Sequence, residues 1–408
     1  MPRRTGGFIG HRGLQAPDPP TAVTPTEGNA QVSIAFTTPS DIGDSAIQGY
    51  VAQVSTNGTD YSAGSNTGSS SPIVVSSLSN GTAYTAKVWA INTYGTSSPS
   101  DASSSVTPRV PPRGIFFGGG NTSALNIIEY ITISSAGNSQ DFGDLTETKK
   151  GSGAYSSSTR GISHAGQKEA SPYYLNIIDY VTIASTGNAT DFGDALSIKA
   201  YGAGLSNATR GVYGGGVDNG TAEAQMEYVT IASTGNATNF GNLAGVRNNL
   251  GDAGCASPTR GIFFNGYETS GSNQLNEIAY ITIGSTGNAS DFGDTDSALY
   301  RRGACSSETR AVVSGGISGY VNKIEYVTIA STGNAQDFGD LTAGRASHAS
   351  TSSNTRGVFA GGETANNVRS NIIDYITIAS AGNATDFGDL TATRFNFAAT
   401  SSDHGGVQ

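Results

Sequence analysis

Ile177-Ile178-Asp179-Tyr180-Val181-Thr182-Ile183, followed by Gly187-Asn188-Ala189-Thr190-Asp191-Phe192-Gly193-Asp194, decides the fold of this chain. The first stretch alternates apolar and polar side chains with a period of two, the pattern of a strand, and the second is a Gly-Asn turn running into Asp-Phe-Gly. Both recur six times between Arg113 and Leu390, each time after an Arg-Gly or Arg-Ala turn and a short apolar run that often closes on Gly-Gly. The Arg markers are Arg113, Arg160, Arg210, Arg260, Arg310 and Arg356, and the Phe markers are Phe142, Phe192, Phe240, Phe292, Phe338 and Phe387. The Arg markers recur every 46 to 50 residues, a period that belongs to stacked supersecondary units. A helical repeat would need apolar residues three and four apart, so the alternation predicts four short strands per unit.

These units resemble the kelch repeat of β-propellers, over about two thirds of the chain. In the last unit the four strands are read in Arg345 to Ala349, Gly357 to Gly362, Ile373 to Thr377 and Asp386 to Leu390. Kelch units usually carry Trp where Phe387 stands, and Phe fills the same inter-blade slot. The first unit starts at its second strand, Arg113 to Gly119, while Arg394 to Thr400 is left over after the last unit. Pairing the leftover strand with the blade begun at Arg113 closes residues 113–408 into a six-bladed ring with no free sheet edge.

Residues 17–108 resemble a fibronectin type III β-sandwich, through Pro17-Asp18-Pro19-Pro20, Gly49-Tyr50 and the run Leu78 to Ser100, with Phe36 replacing the usual strand B tryptophan. Alternation from Tyr84 turns Tyr84, Ala86, Val88 and Ala90 inward and Trp89 outward. Trp89 is a candidate interface residue, the alternative being packing against the propeller or Tyr50. Residues 109–112 form a Pro-rich linker, and stiff prolines at 108, 111 and 112 limit swivelling. Residues 1–16 read as an extended arm, basic in an acidic protein, with Arg3, Arg4, Phe8, Ile9 and Arg12 as the candidate anchor.

The fold class is therefore all-β. A net charge of -10 argues against a nucleic-acid partner, and no apolar stretch or signal core predicts membrane insertion or export, so synthesis in a cytoplasm is expected. Cys255 and Cys305 share one repeat position and read as buried thiols, with a disulfide the lesser alternative. His11, His164, His348 and His404 lack a metal-ligand spacing, so no metal, cofactor or catalytic residue is assigned. Asp-Phe-Gly and the Gly-Gly-Gly runs imitate kinase and phosphate-loop motifs, but they recur in unit after unit and end strands. Repeated pairs such as Asp191 and Asp194 read as turn capping, and the repeated turns suggest a ring of Arg neutralising a ring of Asp.

The other connections differ from unit to unit: Gln167 to Tyr174, Val217 to Gln225, Tyr267 to Gln274, Ile317 to Asn322 and Glu363 to Ser370. Divergence amid repetition marks a recognition surface. Tyr173, Tyr174, Tyr267, Tyr320, Arg301 and Arg302 are its candidate residues, expected on the side turned away from the sandwich. Units carrying Thr-Gly-Asn-Ala-Thr-Asp-Phe-Gly-Asp also resemble repeats in structural proteins of tailed bacteriophages. That resemblance implies a non-enzymatic virion protein, a tail fibre or capsid decoration. Its partners would be capsid, tail or baseplate proteins, copies of itself, and a host surface glycan or protein. A bacterial adhesin or a polysaccharide-acting propeller enzyme are the alternatives; the first should show a sorting signal and the second a carboxylate pair unique to one blade.

Overall fold

The computed structural model describes residues 14–268, 273–365 and 368–407, which hold strands and turns but no helix. The chain divides into two compact units, Met1–Pro111 and Pro112–Gln408. The candidate anchor residues Arg3, Arg4, Phe8, Ile9 and Arg12 lie outside the described residues.

In the first unit, Thr21–Gly28, Gln31–Thr37 and Ile73–Ser76 form one antiparallel sheet, and Gly64–Gly68, Gly49–Ser55, Thr85–Asn92 and Gly95–Thr96 form a second. Alternation gives each sheet one apolar face. Val32, Ile34, Ile73 and Val75 from the first sheet meet Tyr50, Ala52, Val54, Ala86, Val88 and Ala90 from the second in one buried core. At its edge the buried Tyr84 hydroxyl accepts the Ser79 N–H at 3.2 Å. Gln15 belongs to this unit and not to a free arm, since its N–H donates to Asp44 and its carbonyl accepts from Asp44 and Asn92. Pro108 and Arg109 are likewise tied down, to Gly81 and Gly28, which shortens the linker read from the sequence.

Among the described residues the second unit contains six sheets of four or more strands that share a four-stranded antiparallel plan, beside two two-stranded ladders. Ala349–Ser352, Arg356–Ala360, Ile372–Thr377 and Thr385–Asp389 form one of them in that spatial order. The leftover strand is Ala398–Ser401, and it pairs with Arg113–Phe117, Ala398 opposite Phe117 and Ser401 opposite Gly114. The six first strands, Ala398–Ser401, Gly153–Ser156, Ala203–Ser206, Gly254–Ala256, Arg302–Ser306 and Ala349–Ser352, adjoin one another in that sequence, and the last adjoins the first. A closed cycle of six strands leaves little room at its centre, which explains their Gly, Ala and Ser content. A Cβ on Gly204 would stand 2.3 Å from the Ala154 carbonyl, and one on Gly254 would stand 2.3 Å from that of Gly204.

The first strand of the last sheet begins at Ala349 and not at Arg345. Residues 345–348 instead form a bend in which Ser347 has a left-handed backbone (φ 56°). Arg345 is thereby turned into the interior, fully buried.

Candidate functional site

The invariant residues are consumed in joining one sheet to the next. Each Arg marker lays its guanidinium 4.3 to 4.7 Å from the ring of the Tyr in its own third strand. That Tyr meets the marker Phe edge to face at 5.9 to 6.0 Å. Nη1 of the same Arg donates to an Ile carbonyl of the neighbouring sheet at 2.7 to 3.0 Å, from Arg113 to Ile183 around to Arg356 and Ile133. The expected neutralisation of an Asp ring does not occur: among the described residues none of these arginines forms an ion pair with the turn aspartates. Desolvated carbonyls and aromatic faces hold the guanidinium where solvated Asp side chains would add little.

The Gly-Asn turn is the second half of the clasp. The Gly N–H donates to the Phe carbonyl of the preceding sheet, as from Gly187 to Phe142 and from Gly137 to Phe387. The Asn side chain then accepts an N–H of that sheet, as from Asp144 to Asn188 at 3.1 Å and from Asp389 to Asn138 at 3.0 Å. Asp-Phe-Gly needs its Gly because the strand bulges there: Gly193 has φ 146°, and a Cβ would stand 2.5 Å from the Gly235 carbonyl.

A buried ion-pair ladder was not foreseen from the sequence. Lys149 pairs with Asp179, Lys199 with Glu227, Arg247 with Glu277, Arg302 with Glu325, Arg345 with Asp374 and Arg394 with Glu129. Arg302 is thus corrected from a surface candidate to an interior residue, fully buried and 2.8 Å from Glu325. The signal was present: the cation follows the marker Phe by seven residues in five units and by ten in the one ending at Arg302, and the acid precedes Tyr in all but one. There Ala279 replaces it, and Glu277, two residues earlier, takes Arg247.

One further buried network is unique. Tyr155 donates to His164 Nδ1 at 2.7 Å and His164 Nε2 donates to Glu227 at 2.6 Å, with the imidazole stacked on Tyr213 at 4.6 Å. Burial pushes the His164 pKa down, so its ring is neutral while Lys199 pairs with the Glu227 carboxylate. No solvent reaches this cluster, so it is packing, not chemistry.

The two ends of the six-strand ring differ. At the ends of the first strands, Ser156, Ser206, Ser306, Ser352 and Ser401 link neighbouring strands through their hydroxyls, with Ala256 at the sixth position. Residues 404–406 fill the gap: Gly405 N–H donates to the Ser306 carbonyl, and His404 Nε2 shares a 3.2 Å hydrogen bond with Ser206. Beneath them lies a cavity of ≈ 30 Å³.

The opposite end carries the variable loops. Six residues with left-handed backbones, Gly151, Tyr201, Asn249, Arg301, Ser347 and Asn396, precede the first strands. Backbone bonds of 2.7 to 3.3 Å link them in a closed circuit, relayed through the Leu250 N–H at one step. The variable loops are tied to the adjoining residues, as in Lys150 with Gln167, Asn248 with Tyr267, Tyr300 with Ile317 and Ala346 with Glu363. Tyr201, Tyr267, Tyr300, Arg301 and Tyr320 therefore gather around this mouth. Tyr174 lies within electrostatic reach of Tyr201, while Tyr173 is 57% exposed farther out on its loop. Desolvation and then the charge of Glu363 raise the Tyr320 pKa.

Cys255 and Cys305 are free and buried, and their side chains belong to separate apolar clusters. Trp89 is half-buried on the outer face of its sheet beside Val51, and Tyr50 is on the other face, in the core, so the two do not pack together. Among the described residues no group of three His, Cys, Asp or Glu side chains could hold a metal ion. No protein-family model matches this chain, and no curated protein matches it either.

Proposed function

We propose that the chain is a non-enzymatic structural protein of a tailed-bacteriophage virion, a fibre or decoration that carries a recognition surface toward the host. Residues 113–408 form a six-bladed kelch-like β-propeller in this reading, which the cyclic adjacency of the six first strands supports. Residues 17–108 form a fibronectin type III-like sandwich, supported by the Tyr84 hydroxyl taking a backbone N–H five residues upstream, as a tyrosine corner does. Arg3, Arg4, Phe8, Ile9 and Arg12 anchor the chain to capsid, tail or baseplate.

The observation that carries this reading is the division of labour between the two kinds of connection. Invariant turns spend their Arg, Tyr, Phe, Asn and Gly on sheet-to-sheet bonds, whereas the loop-side mouth gathers Tyr and Arg residues that differ in every unit. Tyr and Arg are the residue types that dominate recognition surfaces. Mass spectrometry of purified particles tests the assignment. The full chain should be incorporated and a chain lacking residues 1–13, which keeps the Gln15 bonds to Asp44 and Asn92, should be folded but absent; normal occupancy of the truncated chain would remove the anchor from the proposal.

A further inference from the structure

The loop-side mouth breaks the sixfold repeat at Arg301. Gly151, Asn249 and Asn396 are residue types that tolerate a left-handed backbone, whereas Tyr201 (φ 63°) and Arg301 (φ 55°) place long side chains where an L residue is sterically disfavoured. Such positions persist only where the surroundings over-determine them, and they gather at ligand clamps.

Arg301 is also, with Arg369, set apart from the other cations of this unit. The six ladder cations each face a carboxylate, and the six marker arginines each meet a carbonyl and a ring. Among the described residues Arg301 forms no ion pair, and its side chain donates one hydrogen bond, from Nε to Asn249 Oδ1 at 3.2 Å. Its guanidinium lies 5.8 Å from the Tyr300 ring, which packs tilted against Tyr267 at 5.3 Å. Tyr201 and Tyr320 are within its electrostatic reach. Beneath the circuit, the buried Asp252 carboxyl group accepts the N–H groups of Ser350 and Ala399 at 2.8 and 3.1 Å. The cavity there is ≈ 10 Å³, room for about one water. A larger ligand must rest on the circuit and not inside it.

We infer that this mouth binds an acidic sugar residue, its carboxylate on the Arg301 guanidinium and its C–H face on Tyr300 and Tyr267. A planar guanidinium matches a carboxylate in a two-point contact that a bare point charge cannot reproduce. Tyr rings supply rigid amphipathic faces at low entropic cost. Glu363, in electrostatic reach of both Arg301 and Arg369, is the carboxylate that competes with a bound one for these guanidinium groups. This inference rests on the host-surface reading above and names its ligand class.

Isothermal titration of the full chain with trigalacturonate, its neutral trigalactoside counterpart and inorganic phosphate tests it, with thermal unfolding confirming that each variant is folded. Trigalacturonate should bind, and the neutral sugar should bind about tenfold more weakly or worse. Arg301→Gln should lose about tenfold for trigalacturonate and leave the neutral sugar unchanged, while Glu363→Gln should tighten the acidic sugar. Equal binding of the two sugars, or no effect of Arg301→Gln, would overturn the carboxylate site and leave the host-surface reading standing. Phosphate competing as well as the trisaccharide would overturn the sugar assignment. If neither sugar binds, the inference fails, and loss of adsorption by loop-tyrosine variants would still distinguish that failure from failure of the host-surface reading.

Discussion

At the scale of single residues, the second unit rests on charges removed from water. Arg345 and Asp374 are both fully buried, and Asp374 also accepts from the Thr342 hydroxyl at 2.7 Å. Removing one partner leaves an uncompensated buried charge, so Asp374→Ala should cost about 3–5 kcal/mol in denaturant unfolding, whereas Arg345→Met with Asp374→Leu should recover most of it. A double variant no more stable than the single one would locate the loss in the Thr342 contacts. Buried titrating groups add a pH dependence with two opposed limbs. Desolvation raises Asp252 to about 8 in the fold, so the fold keeps a proton that the unfolded chain releases above its ordinary carboxyl value. That contribution is present at low pH and lost as the pH rises toward 8. Burial lowers His404 to about 4, and lowers His164 and His348 as well. Their contribution is present above the ordinary imidazole value of about 6.5 and lost as the pH falls. Between about pH 6.5 and 8 the Asp252 limb therefore acts against the parent, whose Tm should fall by a few degrees there while that of Asp252→Asn falls less, the raised Glu223 carboxyl still contributing. His404→Gln should shrink the acid limb instead.

At the scale of strands, the alternation around Ile177 to Ile183 and the Gly-Asn turns made four-stranded units legible, because both signals are local. The leftover strand was legible too, since a unit that starts at its second strand implies a missing first one. Its onset was not: Arg394 looks like a strand residue until its burial against Glu129 is seen, and strand structure starts at Ala398. Arg302 was misplaced for the same reason. A long cation beside a loop reads as exposed, and nothing local says that an acid from a third strand waits inside. Of the mouth, Tyr267, Arg301 and Tyr320 were visible as loop chemistry, whereas Tyr201 belongs to it only through the left-handed circuit, a long-range feature. The closing strand carries its own expectation. Deleting residues 391–408 removes Ala398–Ser401 and the Arg394–Glu129 pair together, exposing the edge of Arg113–Phe117. Loss of cooperative unfolding, or aggregation, should follow in calorimetry; an unchanged transition would show that closure contributes nothing.

At the scale of the molecule, a cyclic scaffold held by repeated residues stands apart from one mouth where repetition fails. A scaffold whose invariant side chains are committed to sheet-to-sheet bonds can vary its loops without losing its fold, because exposed loop substitutions shift stability by only about 0.5 kcal/mol or less. That independence makes the functional claim separable from folding. The most direct measurement is the adsorption to host cells of virus particles carrying Tyr173→Ala, Tyr174→Ala, Tyr267→Ala and Tyr320→Ala together, compared with the parent at equal occupancy in the particle. If the loop side recognises the host, adsorption should fall about tenfold or more, as for hot-spot residues, with thermal unfolding little changed. Adsorption equal to the parent's at equal occupancy would contradict the account and leave a purely structural appendage.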